Sequence, residues 1–163
     1  MNIDWHHDRA VTLPLLDADS SHADIDMVAV RAHRLARLRA QMQAYKIDAC
    51  VLFDPVNIRY ATGARNMQIF CARNPARYLF VALDGPVILY EFTGCEHLAM
   101  GLETIDEVRH ATTASFVAAG HHIEQTELRW AEQMWRLIRQ HCGSNARVGI
   151  ERANAGAVLA LQQ

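Results

Sequence analysis

Between Asp54 and Arg77 the chain gathers more groups with directed hydrogen-bonding geometry than anywhere else in its length. The stretch Asp54-Pro55-Val56-Asn57-Ile58-Arg59-Tyr60-Ala61-Thr62-Gly63-Ala64-Arg65-Asn66-Met67-Gln68 is followed closely by Phe70, Arg73, Asn74 and Arg77. Arg59, Arg65, Arg73 and Arg77 are interleaved with Asn57, Tyr60, Asn66 and Gln68. A guanidinium presents a planar fork of donors that matches a carboxylate, and an amide offers both donors and an acceptor. On irregular backbone such groups suit the holding of a ligand's charged or polar end. They do not by themselves move protons or attack a bond. The competing structural reading is that Asn57 and Arg59 brace a turn while the remaining arginines face water.

A catalytic constellation is absent from the sequence. There is no HExxH, no Walker A loop, no GxGxxG after a strand and no GxSxG. Glu124 and Glu127 sit at helical spacing on a face expected to meet water, where carboxylates keep a pKa near 4 and serve poorly in proton transfer at neutral pH. His6-His7 are adjacent and do not converge on one ion; His121-His122 fit a loop-to-helix junction; His97 with Glu96 is no ligand set. The four cysteines, Cys50, Cys71, Cys95 and Cys142, form no CxxC pair, so neither zinc nor a redox couple is indicated. The expected catalytic residues and metal ligands within this chain are therefore none.

With 163 residues the chain fits one domain, and 51% hydrophobic against 21% charged residues is ordinary for a globular protein. A formal net charge of -2 argues against bulk binding to nucleic acid or anionic membrane. Lys46 is the single lysine against fifteen arginines, a bias for which codon usage is the plainest source. Residues 1–8 lack a basic region followed by an apolar core, and no apolar run approaches the roughly 20 residues of a membrane span. These features predict a cytoplasmic protein with no nucleic-acid and no membrane partner.

The elements that must position the polar stretch follow from periodicity. Residues 1–25 read as an irregular arm in which Trp5 is the aromatic with a reason to dock. A helix is predicted from Asp26 to Tyr45, capped by Asp24 or Asp26, with Ala32, Leu35, Leu38, Met42 and Tyr45 on one stripe and arginines around it. Ile47 to Phe53 reads as a buried strand. Asp54 then caps a short helix with Pro55 at its first position, and Gly63 stops it. Met67 to Cys71 is expected to be a short strand. Tyr78–Leu83 and Val87–Phe92, split by Asp84-Gly85-Pro86, read as a hairpin, because Asp-Gly between apolar runs is a hairpin signal. A short helix over Gly94–Met100, a strand over Thr104–Ala111, and a helix over His122–His141 with Leu128, Ala131, Met134, Trp135 and Ile138 as its stripe follow. Arg147–Glu151 is the last strand, and a helix begins at Ala155. This order predicts an α/β fold, a three-layer α/β/α domain with a mixed sheet.

The string Leu52-Phe53-Asp54-Pro55-Val56-Asn57-Ile58-Arg59-Tyr60-Ala61-Thr62-Gly63 resembles the NI-x-Y-x-x-G signature of the N-terminal domain of creatinase, prolidase and aminopeptidase P. Arg34-Leu35, Leu38 and Met42 before it, and Val148-Gly149-Ile150-Glu151 after it, stand in that family's order. Asn66-Met67-Gln68 and Asn74-Pro75-x-Arg77 look most similar to the branch of dimethylsulfoniopropionate lyases and Xaa-Pro peptidase-like proteins. The resemblance implies a creatinase-type domain with a ribonuclease H-like motif over residues 26–152, and a linker helix over 153–163 leading to a C-terminal pita-bread domain. In the family that second domain binds two divalent metal ions (Mn, Co, Zn or Fe), so no cofactor is expected here, and a chain that stops inside a helix is expected to be a fragment.

Carried onto this sequence, the resemblance gives Asp54, Pro55, Asn57, Tyr60 and Gly63 to the structural turn. It gives Asn66, Phe70, Arg73, Arg77 and Trp5 to the rim of a substrate site completed across a homodimer. The implied parent hydrolyses a Xaa-Pro peptide or a small charged substrate, or is a dimethylsulfoniopropionate lyase-like enzyme. A stand-alone protein- or peptide-binding module of the same fold is the alternative from another class. A nucleotide-binding domain is a weaker one, because no Gly-rich strand-to-helix loop exists.

Overall fold

A five-stranded mixed sheet is the middle layer of the computed structural model, which describes residues 24–66 and 76–163. Its strands are β1 (Ala49–Leu52), β2 (Tyr78–Ala82), β3 (Val87–Glu91), β4 (Glu107–His110) and β5 (Val148–Ile150), in the order β4-β3-β2-β1-β5. β2 runs antiparallel to both neighbours, whereas β1 with β5 and β3 with β4 are parallel. The carboxyl ends of β1, β3, β4 and β5 therefore share one end of the sheet with the start of β2. In open α/β sheets that end is where ligands are met.

Two helices cover one face: α1 (Met27–Ala44) and α2 (Pro55–Thr62). The other carries the short α3 (Phe116–Ala119), the long α4 (Ile123–Cys142) and α5 (Ala155–Leu161). Strand parity sorts the core. Leu79, Val81 and Leu89 join Met42, Ile58 and Ala61 on the α1–α2 side. Tyr78, Phe80 and Tyr90 join Trp130, Met134, Leu137 and Ala157 on the α4–α5 side. With both faces covered, β2 and β3 are buried at every position, so an apolar run without alternation fits them. Tyr78 stacks on Tyr90 with ring centroids 4.5 Å apart, and Trp130 meets Tyr78 edge-on at 6.2 Å.

Local signals set the helix ends. Asp26 caps α1 by accepting from the Ala29 N–H at 3.0 Å. Asp54 does the same for α2 through the Val56 N–H at 2.8 Å, with Pro55 where no donor is needed. Gly63 ends α2 at φ 86, and its N–H bonds to the Arg59 carbonyl at 2.8 Å. The Arg31 stem lies across this glycine on its way to Glu103, which it grips through Nε at 2.6 Å and Nη2 at 2.9 Å. A Cβ on Gly63 would lie 2.4 Å from Arg31 Cδ.

Several expectations are corrected. On α4 the buried stripe is Thr126, Trp130, Ala131, Met134 and Leu137, while Leu128 and Trp135 stand exposed. The stripe is turned because α4 must face the sheet, and Trp135 instead carries the Arg139 guanidinium 4.8 Å above its ring. Tyr45 is exposed because α1 ends at Ala44, so the apolar repeat has no helix to continue it. Gly94–Met100 holds only a 3-10 turn over Glu96–Leu98, and the fourth strand shortens to Glu107–His110. The expected Met67–Cys71 strand lies outside the described residues.

Gly63→Ala should destabilise the domain more than Gly94→Ala. Both glycines hold left-handed backbone, φ 86 and φ 87, but nothing lies within 4 Å of a Cβ at Gly94. Urea unfolding should show a loss of roughly 1–2 kcal/mol at Gly94 from backbone strain alone. A larger loss is expected at Gly63, where Arg31 must also give way; equal losses would show that the Arg31 contact is inconsequential.

Candidate functional site

The register of β2 and β3 generates the centre of the polar cluster. Tyr78 lies opposite Tyr90 and Leu79 opposite Leu89, so Arg77 is level with Glu91 at the same end of the hairpin. Both side chains then point to the α1–α2 side, and both are fully buried. Arg77 Nε donates to Glu91 Oε2 at 2.7 Å. Asn66 Nδ2 donates to Glu91 Oε1 at 2.8 Å, and the Phe92 N–H donates to the same oxygen at 3.0 Å. A buried carboxylate is tolerable only when charge and donors answer it, and here a guanidinium, an amide and a backbone N–H do so.

Asn66 immediately precedes segment 67–75, and Arg77 stands just past it. One carboxylate thereby fixes the chain on both sides of that segment. Arg77 Nη1 and Nη2 are buried with no hydrogen-bond partner among the described residues. Asn66 and Arg77, expected at the rim of a substrate site, are buried in this domain, 8% and 0% exposed. Phe70, Arg73 and Trp5, the other expected rim residues, lie outside the described residues.

A second carboxylate organises the turn. β5 is parallel to β1, which brings Glu151, just past the end of β5, beside the entry to α2. Glu151 Oε2 accepts from the Phe53 N–H at 2.8 Å and the Asp54 N–H at 2.7 Å, while Oε1 takes Asn57 Nδ2. Asn57 is thereby tied to the end of β5, and Tyr60 lies on the outer face with the Arg34 guanidinium 5.7 Å from its ring centre. The far end of α2 is fastened by threonines. Thr62 Oγ1 donates to the Ile58 carbonyl at 2.7 Å and accepts from the Ala64 N–H at 3.1 Å. Thr104 Oγ1 donates to the Thr62 carbonyl at 2.6 Å.

This arrangement holds and orients the chain: Glu91 and Glu151 each accept three hydrogen bonds. Tyr78, on the opposite face, accepts from the Thr112 N–H at 3.1 Å and donates to Gln133 at 3.0 Å, and burial pushes its hydroxyl well above the ordinary phenol range. Among the described residues no group of three or more His, Cys, Asp or Glu could hold a metal ion. The described side chains thus do not fit a two-metal centre, and no step through one is derived from them.

Sequence reasoning missed Glu91, Glu151 and Thr104. Glu91 was detectable as the one charge in an otherwise apolar strand, Val87-Ile88-Leu89-Tyr90-Glu91. Such a charge needs a partner once both faces of the sheet are covered. Removing its charge tests the clamp. Glu91→Gln should lower the unfolding free energy by about 3–5 kcal/mol, because it strands a buried guanidinium. The double variant Arg77→Met/Glu91→Leu should lose less than either single one in urea unfolding; additive losses would show that the two groups do not act as a pair.

Comparison with known proteins places this geometry. The family model described as "Creatinase/Prolidase N-terminal domain" matches residues 34–163. The chain is 27% identical over 137 residues to the dimethylsulfoniopropionate lyase DddP of Roseovarius nubinhibens, and 26% identical over 137 residues to that of Roseobacter denitrificans. Each match covers 84% of this chain and 31% of the relative, so the chain spans about a third of the length of the curated relatives it matches. A proline dipeptidase structure from Streptococcus pneumoniae superposes with a TM-score of 0.52 at 19% identity, covering 79% of this chain and 82% of that one, a likeness of fold. With a five-stranded mixed sheet between two helical layers and a family match over most of its length, the chain belongs to the creatinase/prolidase N-terminal domain family.

Proposed function

We propose that this domain is the non-catalytic N-terminal partner of a metal-dependent enzyme. It packs against a C-terminal catalytic domain of the same polypeptide, supports a homodimer in the cytoplasm, and lends a rim to the substrate site. Two divalent ions, of Mn, Co, Zn or Fe, belong to that catalytic domain. The observation that carries this reading is the Glu91 clamp: one buried carboxylate fixes the residues flanking 67–75 at the ligand-facing end of the sheet. Rigid supports of this kind are what a binding loop requires. In this reading Asn66 and Arg77 position the segment between them through their bonds to Glu91. Phe70, Arg73 and Trp5 complete the rim.

Two parents are compatible with such a rim. A Xaa-Pro peptidase or creatinase-like hydrolase agrees with the family and with the dipeptidase fold. A dimethylsulfoniopropionate lyase-like enzyme is favoured by the two curated relatives. Either reaction relies on chemistry that a metal-activated centre supplies and that the described part of this domain does not contain.

Purified residues 1–163 should turn over neither a Xaa-Pro dipeptide nor dimethylsulfoniopropionate when manganese, cobalt, zinc or iron is added; metal-dependent turnover would overturn the accessory reading. In a protein carrying both domains, Arg77→Lys should raise KM roughly tenfold by loosening the Glu91 clamp on either side of segment 67–75, with metal content unchanged. Lost metal would instead make Arg77 part of the metal centre's support. Which of the two substrates that protein consumes decides between the parents.

A further inference from the structure

A small cavity opens on the outer side of the α1–α2 pair, at the carboxyl end of β1. It encloses about 330 Å³ and is lined by Arg37, Leu38 and Gln41 of α1, Leu52 of β1, and Asn57 and Tyr60 of α2. That volume lies within the range of small-ligand sites, roughly 300–1,000 Å³. Leu38 and Leu52 are half-buried and continue into the core of this face, so they give the cavity an apolar floor. Around the floor stand one guanidinium, two amides and a phenol. An apolar base with a few convergent polar groups is the usual composition of a ligand site.

The charges around it decide the class of ligand. Arg37 is exposed, has no carboxylate partner among the described residues, and is the one charged side chain that lines the cavity. Arg34 adds a second positive charge beside it, over the Tyr60 ring. The Glu151 and Asp54 carboxylates lie nearby and keep their charge, but neither lines the cavity, and each is held by other donors. Glu151 is held by Asn57 and the N–H groups of Phe53 and Asp54. Asp54 is held by the N–H of Val56. The Glu151 bond also fixes the Asn57 amide, so one wall of the cavity is set before any ligand arrives.

From this we infer that the α1–α2 cavity binds a small organic carboxylate with a short apolar stem. Its carboxylate lies in the Arg37 fork and its stem on Leu38 and Leu52. This assigns Tyr60 of the turn signature a second task as a cavity wall. The inference does not depend on the accessory reading above, since cavity and charges belong to this chain alone.

The test uses residues 1–163 and three probes of equal chain length: hexanoate, hexanol and hexylammonium. Binding is followed by nuclear magnetic resonance of the Arg37 Nε–H and of the Gln41 and Asn57 side-chain amides. Hexanoate should shift these signals saturably, with hexanol about tenfold weaker because it lacks the charge-assisted bond. Arg37→Gln, at an exposed position that leaves the fold intact, should bring hexanoate down to the level of hexanol, and Arg136→Gln should change nothing. Equal binding of hexanol or hexylammonium would overturn the proposal. So would hexanoate binding that survives Arg37→Gln, or shifts spread without saturation over every arginine.

Discussion

Glu91 holds a carboxylate where no water reaches it, and the surrounding chain is arranged to make that tolerable. Its charge is met by Arg77 across the hairpin, and its remaining lone pairs by Asn66 and the Phe92 N–H. A lone carboxylate in that position would cost several kcal/mol or take up a proton. The pair therefore works as a condition on structure: the domain folds with Asn66 and Arg77 both at Glu91, or it leaves a charge stranded. Hydrophobic contacts alone would not impose this. Leu79, Val81 and Leu89 can exchange partners within the core at small cost. A carboxylate with three defined donors cannot.

Glu151 repeats the logic in a wetter setting. It stands at the end of β5 as Glu91 stands at the end of β3, and both carboxylates tie a loop to the carboxyl end of the sheet. One anchors the entry to α2 and the other the departure from it. Thr104 and Arg31 hold the end of α2 between them, through the Thr62 carbonyl and across the face of Gly63. The turn signature is thus a segment pinned from three directions by residues distant in sequence. Asn57, Thr62 and Asn66 are the polar groups of the stretch that take part in this pinning.

The layers and most elements were legible because their signals are local. Asp54-Pro55 and Gly63 mark their helix through caps and φ preference, and unbroken apolar runs mark strands covered on both faces. The face of α4 was not legible, since Leu128 and Trp135 are as apolar as the residues that the sheet selected. The partner of Arg77 was not legible because strand bounds do not fix the register of a hairpin. The turn pairs Ala82 with Pro86, whose carbonyl accepts from the Ala82 N–H at 3.1 Å, and this sets Arg77 level with Glu91; a turn one residue shorter would set it level with Phe92. Because side chains alternate, that single step decides whether Arg77 meets a carboxylate or an aromatic ring.

The helical period separates two faces within the turn signature. On α2 the residues Ile58, Ala61 and Thr62 face inward, whereas Val56, Asn57, Arg59 and Tyr60 do not. Packing accounts for the first set, and the Glu151 bond accounts for Asn57. Tyr60 lies outside the core, and its ring carries the Arg34 guanidinium, a contact that ties α2 to α1. Its ring spans α1 and α2 at the surface, where it also forms one wall of the cavity that holds Arg37.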